Sequence, residues 1–221
     1  MPANDNKVEL IGTYGSDETH ALSAWTSTSR DLTEDKKKRI PQLLKMLADN
    51  EHHTVFEMSS LHFLVTTDLA SHIHLLKHRI GISVNAESSR YKELKDDKYY
   101  VPCDWDDEEQ NKYIQHLETS LNLYHETLER LVQKGMPRKR AKESARFYLP
   151  YGNQLTADVM FNFRSFYHFL KLRYSPHAQL EIKNIAHDML EHVHKTEKFI
   201  FTLQAFGLTE EDGSLIKELS K

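Results

Sequence analysis

The sequence predicts a fold of mixed class, in which short strands and long amphipathic helices build one domain over residues 1–221. Three observations carry this. Residues 7–12, 61–65 and 154–163 set apolar side chains in strand-like patterns, two of them at every second position. Tyr113, Leu117, Leu121, Tyr124, Leu128 and Leu131 recur at spacings of three and four, as on one face of a helix. No repeat, low-complexity segment or linker divides the 221 residues, a length that buries a full core as one large domain.

Taken in order, Val8, Leu10 and Ile11 begin a first strand, ended by the turn Tyr14-Gly15-Ser16-Asp17. Leu43, Leu44 and Leu47 follow Pro41 at helical spacing, with the basic run Lys36-Lys37-Lys38-Arg39 as the solvated entry to that helix. In the second strand Leu61, Phe63 and Val65 alternate with His62 and Leu64. Asp68 then caps a helix through Ala70, Ile73, Leu75 and Leu76, at whose end Lys77, His78 and Arg79 complement the helix dipole. Residues 92–98 form a charged surface loop.

The long helix marked by Tyr113 to Leu131 stops at Gly135 and Pro137, and Pro137 suits the first turn of another. Arg146, followed by Phe147-Tyr148-Leu149, is expected in apolar surroundings with an anionic partner. After the strand over 154–163 comes a helix carrying Phe166, Phe169 and Leu170. Ser175-Pro176 reads as N-cap and first position of a last long helix through Ala178, Ile182, Ile185, Ala186, Met189 and Val193 toward Gly207.

Composition narrows the chemistry. Hydrophobic residues at 39% and charged residues at 28% describe a soluble globular chain, and a net charge of -4 argues against a general nucleic-acid coat. No apolar run is long enough to span a bilayer, and Met1-Pro2-Ala3-Asn4-Asp5 lacks the basic and apolar parts of a signal peptide, so a cytoplasmic protein is expected. The single cysteine, Cys103, allows neither an internal disulfide nor a Cys-pair zinc site. Asp104, Asp106 and Asp107 close by disfavour a thiolate, so it reads as inert. His187, Glu191 and His194 share a helical face and suit zinc, yet no HExxH spacing occurs, and no metal is expected. With seven glycines and no GxGxxG, the sequence argues against a Rossmann or P-loop enzyme, and a GxSxG nucleophile elbow is absent.

Residues 78–91 concentrate guanidiniums, hydroxyls, an imidazole and a carboxamide, an anion-binding composition in which Ser88, Ser89 and Arg90 suit one phosphate. The bland alternative is a polar loop held by surface ion pairs. Arg79, Arg90, Arg146, Arg164 and Arg173 each stand near apolar or aromatic residues, where arginines meet phosphates or carboxylates.

His78-Arg79, Ser83-Val84-Asn85 and Ser88-Ser89-Arg90-Tyr91 resemble the signature of the flavin-dependent thymidylate synthases (the ThyX family), which reads Arg-His-Arg, seven residues, Ser. His52-His53-Thr54-Val55-Phe56-Glu57 is similar to the family's His-Glu-Thr-Pro-Phe-Glu block. Arg164 to Glu181, with Leu170-Lys171-Leu172-Arg173 and Ser175-Pro176-His177-Ala178-Gln179, resembles its C-terminal block. The resemblance implies an α+β fold, an antiparallel sheet with several long amphipathic helices, and a homotetramer with shared active sites. It implies FAD as cofactor, with NADPH and methylenetetrahydrofolate as co-substrates and dUMP methylated to dTMP.

By the same resemblance His74, Lys77, Glu87, Ser88, Ser89, Arg90, Arg146 and Arg173 hold the nucleotide, and Arg173 also polarises the uracil. Thr54, Glu57, Lys77, His78, Arg79, Asn162, Arg164 and His168 fall at flavin positions, and His52 lies beside flavin and folate. A flavin route needs no cysteine nucleophile, in keeping with the inert Cys103. Ser88 has no partnered base near it in sequence and is assigned to binding. Several positions depart from the pattern. Lys77 replaces the first arginine, one residue is added before Ser88, Ala86 stands where the family is often acidic, and His74 and His168 replace a glutamine and an asparagine. These bear on which pyrimidine is used, leaving as alternatives a methylase or hydroxymethylase acting on another pyrimidine monophosphate such as dCMP, or an inactive nucleotide-binding protein.

Overall fold

The computed structural model of the protein describes residues 5–88 and 98–219. Strand β1 (Lys7–Tyr14) passes through Gly15 into helix α1 (Asp17–Trp25), capped by Ser16 Oγ accepting from Thr19 N. The turn expected at residues 14–17 is therefore a helix entrance. Helix α2 (Glu34–Lys38) carries most of the basic run, with Lys37 paired to Glu34 and Lys38 to Asp35 at the surface. Helix α3 (Ile40–Asp49) buries Leu44 and Leu47.

Glu51, with φ 56°, ends α3 in a left-handed turn in which Glu51 N donates to Ala48 O (3.1 Å) and His52 N to Leu47 O (2.9 Å). These two bonds satisfy carbonyls that a helix end leaves open. They redirect the chain into a 3-10 turn, His53–Glu57. Strand β2 (Ser60–Asp68) buries Leu61, Phe63 and Val65 as expected, and helix α4 (Leu69–Leu76) starts where Asp68 Oδ1 accepts from Ser71 N (2.8 Å).

Residues 82–86 correct the sequence reading: Ile82–Ala86 is strand β3, alternating half-buried Ile82, Val84 and Ala86 with exposed Ser83 and Asn85. Its polar half drew attention as an anion-binding stretch and hid a period of two. Helix α5 (Asp107–Gln133) buries Leu117, Leu121, Tyr124 and Leu128, and helix α6 (Arg138–Ala145) follows Pro137. Strand β4 (Gln154–Phe161) leads into helix α7 (Phe163–Arg173), whose N-cap is Asn162. Helix α8 (Leu180–Lys195) begins later than expected, because Ala178 N donates to Ser175 O (3.1 Å) and closes a turn at Ser175-Pro176. A left-handed Glu197 (φ 58°) then breaks the expected long helix, separating α8 from helix α9 (Ile200–Ala205).

The strands form one antiparallel sheet in the order β1-β2-β4-β3. By contact the chain separates into two compact units, residues 1–7, 65–76 and 85–157 in one and residues 8–64, 77–84 and 158–221 in the other. The core of the first sets Tyr99 against Leu117 and Leu121 of α5, and Tyr124 and Leu128 against Ala145. The core of the second is aromatic, with Phe63 stacked on Phe166 at 5.9 Å between centroids and Phe161 edge-on to Phe166 and tilted against Phe169.

Beside that aromatic core lies a buried polar chain. Asp17 accepts from Phe201 N (2.9 Å), Thr202 N (2.8 Å) and Thr202 Oγ1 (2.6 Å), so it caps α9 across space. Thr202 has given its one hydroxyl proton to Asp17, so His20 Nδ1 donates to it (3.0 Å) and His20 Nε2 is left to accept from Ser59 Oγ (2.9 Å). His20 is thus neutral, and burial pushes its pKa down to about 4. Burial also raises the Asp17 pKa, against the pull of its three hydrogen bonds.

Candidate active site

The second unit holds a cleft of about 420 Å³, a size ordinary for a small-molecule site. One wall is α7. Arg164, Tyr167, His168 and Lys171 stand at i, i+3, i+4 and i+7, so helical geometry puts four polar side chains on one face while Phe166, Phe169 and Leu170 face the core. The opposite lining comes from the 3-10 turn, through His53 and Glu57, and from Ile80 and Gly81.

Local contacts fix this geometry. Asn162 Oδ1 caps α7 by accepting from Ser165 N (2.8 Å), and Ser165 Oγ donates to Ile80 O (2.8 Å). Asn162 N donates to Gly81 O (3.3 Å). Gly81 has φ 68°, and a Cβ there would come within 2.1 Å of Ser165 Oγ and 2.6 Å of Asn162 Nδ2, so only glycine fits the approach. Arg164 and Glu57 form an ion pair across the cleft. Tyr167 lies 4.4 Å from the ring of Phe206, burial raises its pKa, and Lys171 Nζ sits 5.8 Å from its ring centre.

In the same unit Arg173 Nε donates to His78 Nε2 (3.0 Å). A ring nitrogen accepts only without its proton, so His78 is neutral with Nδ1 protonated. His78 is buried, edge-on to Phe169 (5.0 Å) and 6.1 Å from the His168 ring. Arg173 is half-buried, its pKa lowered by burial, and it makes no ion pair among the described residues. A desolvated guanidinium that lacks a counter-charge is poised to stabilise an anion.

Of the residues expected around a flavin, the structure brings Glu57, Asn162, Arg164 and His168 together at the cleft, with His78 packed against His168. His52, Thr54, Lys77 and Arg79 belong to the same unit but are exposed and do not line it. Of those expected around a nucleotide, half-buried His74 and Ser88 lie in the first unit. There Glu87 uses its carboxylate to accept from Thr156 N (3.0 Å), while its own N–H donates to Thr156 O (2.9 Å). Ser89, Arg90 and the loop over 92–97 lie outside the described residues.

Arg146 corrects the expectation of apolar surroundings. It is exposed, as is Phe147 at 85%, and its side chain makes no hydrogen bond or ion pair among the described residues. The next residues leave α6 through a short 3-10 turn, Arg146–Tyr148, which swings them off the buried face carried by Ala141 and Ala145. On α8, Glu191 pairs with Lys195 (2.9 Å) and His194 Nε2 bonds Gly213 O (3.0 Å), so the His187, Glu191 and His194 stripe is engaged locally. Gly81, Ser165, Tyr167 and Lys171 are cleft residues that the sequence does not single out. For Tyr167 and Lys171 the signal was present in their spacing from Arg164.

The α+β fold thus holds a cleft that joins two cations, two imidazoles and a capped helix face, a lining whose chemistry suits an anionic group. A family model described as "Thymidylate synthase complementing protein" matches residues 9–197. The flavin-dependent thymidylate synthase of Clostridium tetani is 31% identical over 184 residues, covering 78% of this chain and 72% of that protein. That of Thermosipho africanus is 29% identical over 225 positions, covering 95% and 94%. Among solved structures, the UMP/dUMP methylase PolB from Streptomyces cacaoi bound with 5-Br dUMP superposes with a TM-score of 0.77 at 27% identity, covering 93% of this chain and 96% of that one. Its complex with 5-Br UMP gives the same TM-score at 26% identity, covering 92% and 94%. The chain belongs to the thymidylate synthase complementing protein family, whose relatives here are named for flavin dependence and for thymidylate synthesis.

Proposed function

We propose that the protein methylates a pyrimidine nucleoside monophosphate with a reduced flavin, converting dUMP to dTMP with FAD as cofactor and NADPH and methylenetetrahydrofolate as co-substrates. The observation that carries the reading is Arg173, half-buried, without a counter-charge among the described residues, and held by a neutral imidazole. Negative charge developing on a pyrimidine ring would offset its desolvation, an effect worth several kcal/mol, roughly, when donors are preorganised. His78 serves here because, unlike a carboxylate, it orients the guanidinium without neutralising it.

The flavin supplies the hydride chemistry when bound. The cleft's donor set suits such a group: Arg164, already oriented by Glu57, and Lys171 answer its phosphates, and Gly81, Asn162 and His168 line the same cleft. In this reading His78, Arg79, Lys77 and Thr54 complete the flavin site, and His52 stands toward folate. Ser88, Ser89, Arg90 and Arg146, with His74 and Glu87, hold the nucleotide.

Purified protein supplied with FAD should be yellow, bleach with NADPH, and yield dTMP from dUMP and methylenetetrahydrofolate. A protein that binds no flavin sinks the proposal. Arg173→Ala should lower kcat by about a hundredfold with little loss of dUMP affinity, whereas Arg90→Ala should chiefly weaken binding. Equal effects on affinity alone would refute these roles. A second reading has its own support, since PolB was solved with both 5-Br dUMP and 5-Br UMP. Product masses from dUMP, UMP and dCMP decide which pyrimidine is used and whether a methyl or hydroxymethyl group is added.

A further inference from the structure

The last turn of α7 carries Arg173, and the carbonyls of a helix's last turn lack partners within the helix. Here the C-cap residue that closes that turn is itself held from outside. Tyr174, the C-cap, is 1% exposed and its N–H donates to Leu170 O (2.7 Å). The C-terminal segment then grips Tyr174 at both ends. Leu219 N donates to Tyr174 O (2.7 Å), and the Tyr174 hydroxyl donates to Ile216 O (2.8 Å). Lys183 on α8 fixes the same segment through Glu218.

The segment is itself preformed. Leu208 O accepts from Ile216 N (3.3 Å), Thr209 and Leu215 form an antiparallel bridge, and Gly213 at φ 84° closes the turn between them. It lies beyond residue 197, where the family match ends.

We propose that residues 208–219 form a strap that positions Arg173, acting through Tyr174. The inference rests on the reading of Arg173 as the group that faces the pyrimidine. His78 fixes the guanidinium at its Nε and the strap fixes the backbone one residue on, so side chain and main chain are set independently. Without the strap the terminal turn frays, and the guanidinium leaves the position in which it stabilises charge. A displacement of about 1 Å at a reacting centre is enough to cost two orders of magnitude in rate. Tyr174 touches no reacting atom in this scheme and is a positioning residue.

The test uses the full chain with Tyr174→Phe, which keeps the buried ring and removes one hydrogen bond, combined with Glu218→Gln. Expected are a kcat about tenfold lower, a KM for dUMP within about twofold of the parent, and faster amide exchange at residues 172–174 with unchanged exchange at His53–Glu57. Lys183→Arg, which keeps the ion pair, should retain the parent kcat. Parent kcat in the double variant, or a loss confined to KM, overturns the strap. If the parent makes no product from any pyrimidine, the functional reading falls instead. In that case the strap stands on faster exchange at 172–174 and falls on unchanged exchange.

Discussion

His20 illustrates what a single buried side chain does for the second unit. Its neutral ring joins Ser59, at the end of the turn that lines the cleft, to Thr202 and Asp17. Its pKa in the folded chain is about 4, below the usual 6.5, so as pH falls the unfolded chain takes the proton first. The stabilisation is complete above pH 6.5 and is lost as pH drops toward 4, amounting to about 3 kcal/mol over that window. Asp17, with its pKa raised, works in the opposite sense at the acid end. Urea titrations from pH 7 to 5 should show stability falling in the parent and a flatter profile in His20→Gln; parallel profiles would contradict the assignment. Gly81→Ala forces a side chain into a left-handed backbone and against Ser165, and should cost about 1–3 kcal/mol together with flavin affinity. Thermal melts with and without FAD separate the two losses.

At the scale of elements, helix ends decide where the site residues stand. The end of α3 is built on Glu51 in a conformation that a residue with a Cβ adopts only at some expense. Glu51→Gly should stabilise the chain by about 0.5–1 kcal/mol, because relief at a left-handed C′ position outweighs the added freedom of the unfolded chain. Chemical denaturation reads this directly, and a destabilised variant would show that the Glu51 side chain has a compensating role. At the other wall Asn162 caps α7 and starts the face that displays Arg164, Tyr167, His168 and Lys171. One cap thus fixes both the core register of α7 and the side chains it turns toward the cleft.

For the whole molecule, no described helix is long and apolar enough to cross a membrane. We propose a homotetramer with shared active sites, and sedimentation should give a four-chain species that persists on dilution to assay concentrations. A fully active monomer would contradict that assembly. Exposed Ile80 (90%) and Phe147 (85%) sit next to Gly81 and Arg146, so apolar surface adjoins residues of both proposed ligand sets.

By itself the sequence determined where the strongly periodic segments lie and which chemistry was at hand. The alternation in β2 and the three-four spacing in α5 are set by covalent periodicity, and they survive folding because one face of each must leave water. The family was legible because its three motif blocks are contiguous. Tertiary structure alone decided what pairing and packing decide. The polar stretch at 82–86 became a strand because it bonds along β4, and Arg146 stayed exposed because its chain turns away from the buried face of α6. Gly81 became indispensable through an approach to Ser165 from far along the chain. His78 became a neutral acceptor because Arg173, ninety-five residues on, points its Nε–H at it. Local sequence sets the period of each element, whereas the partner of a proton is chosen only when distant segments meet.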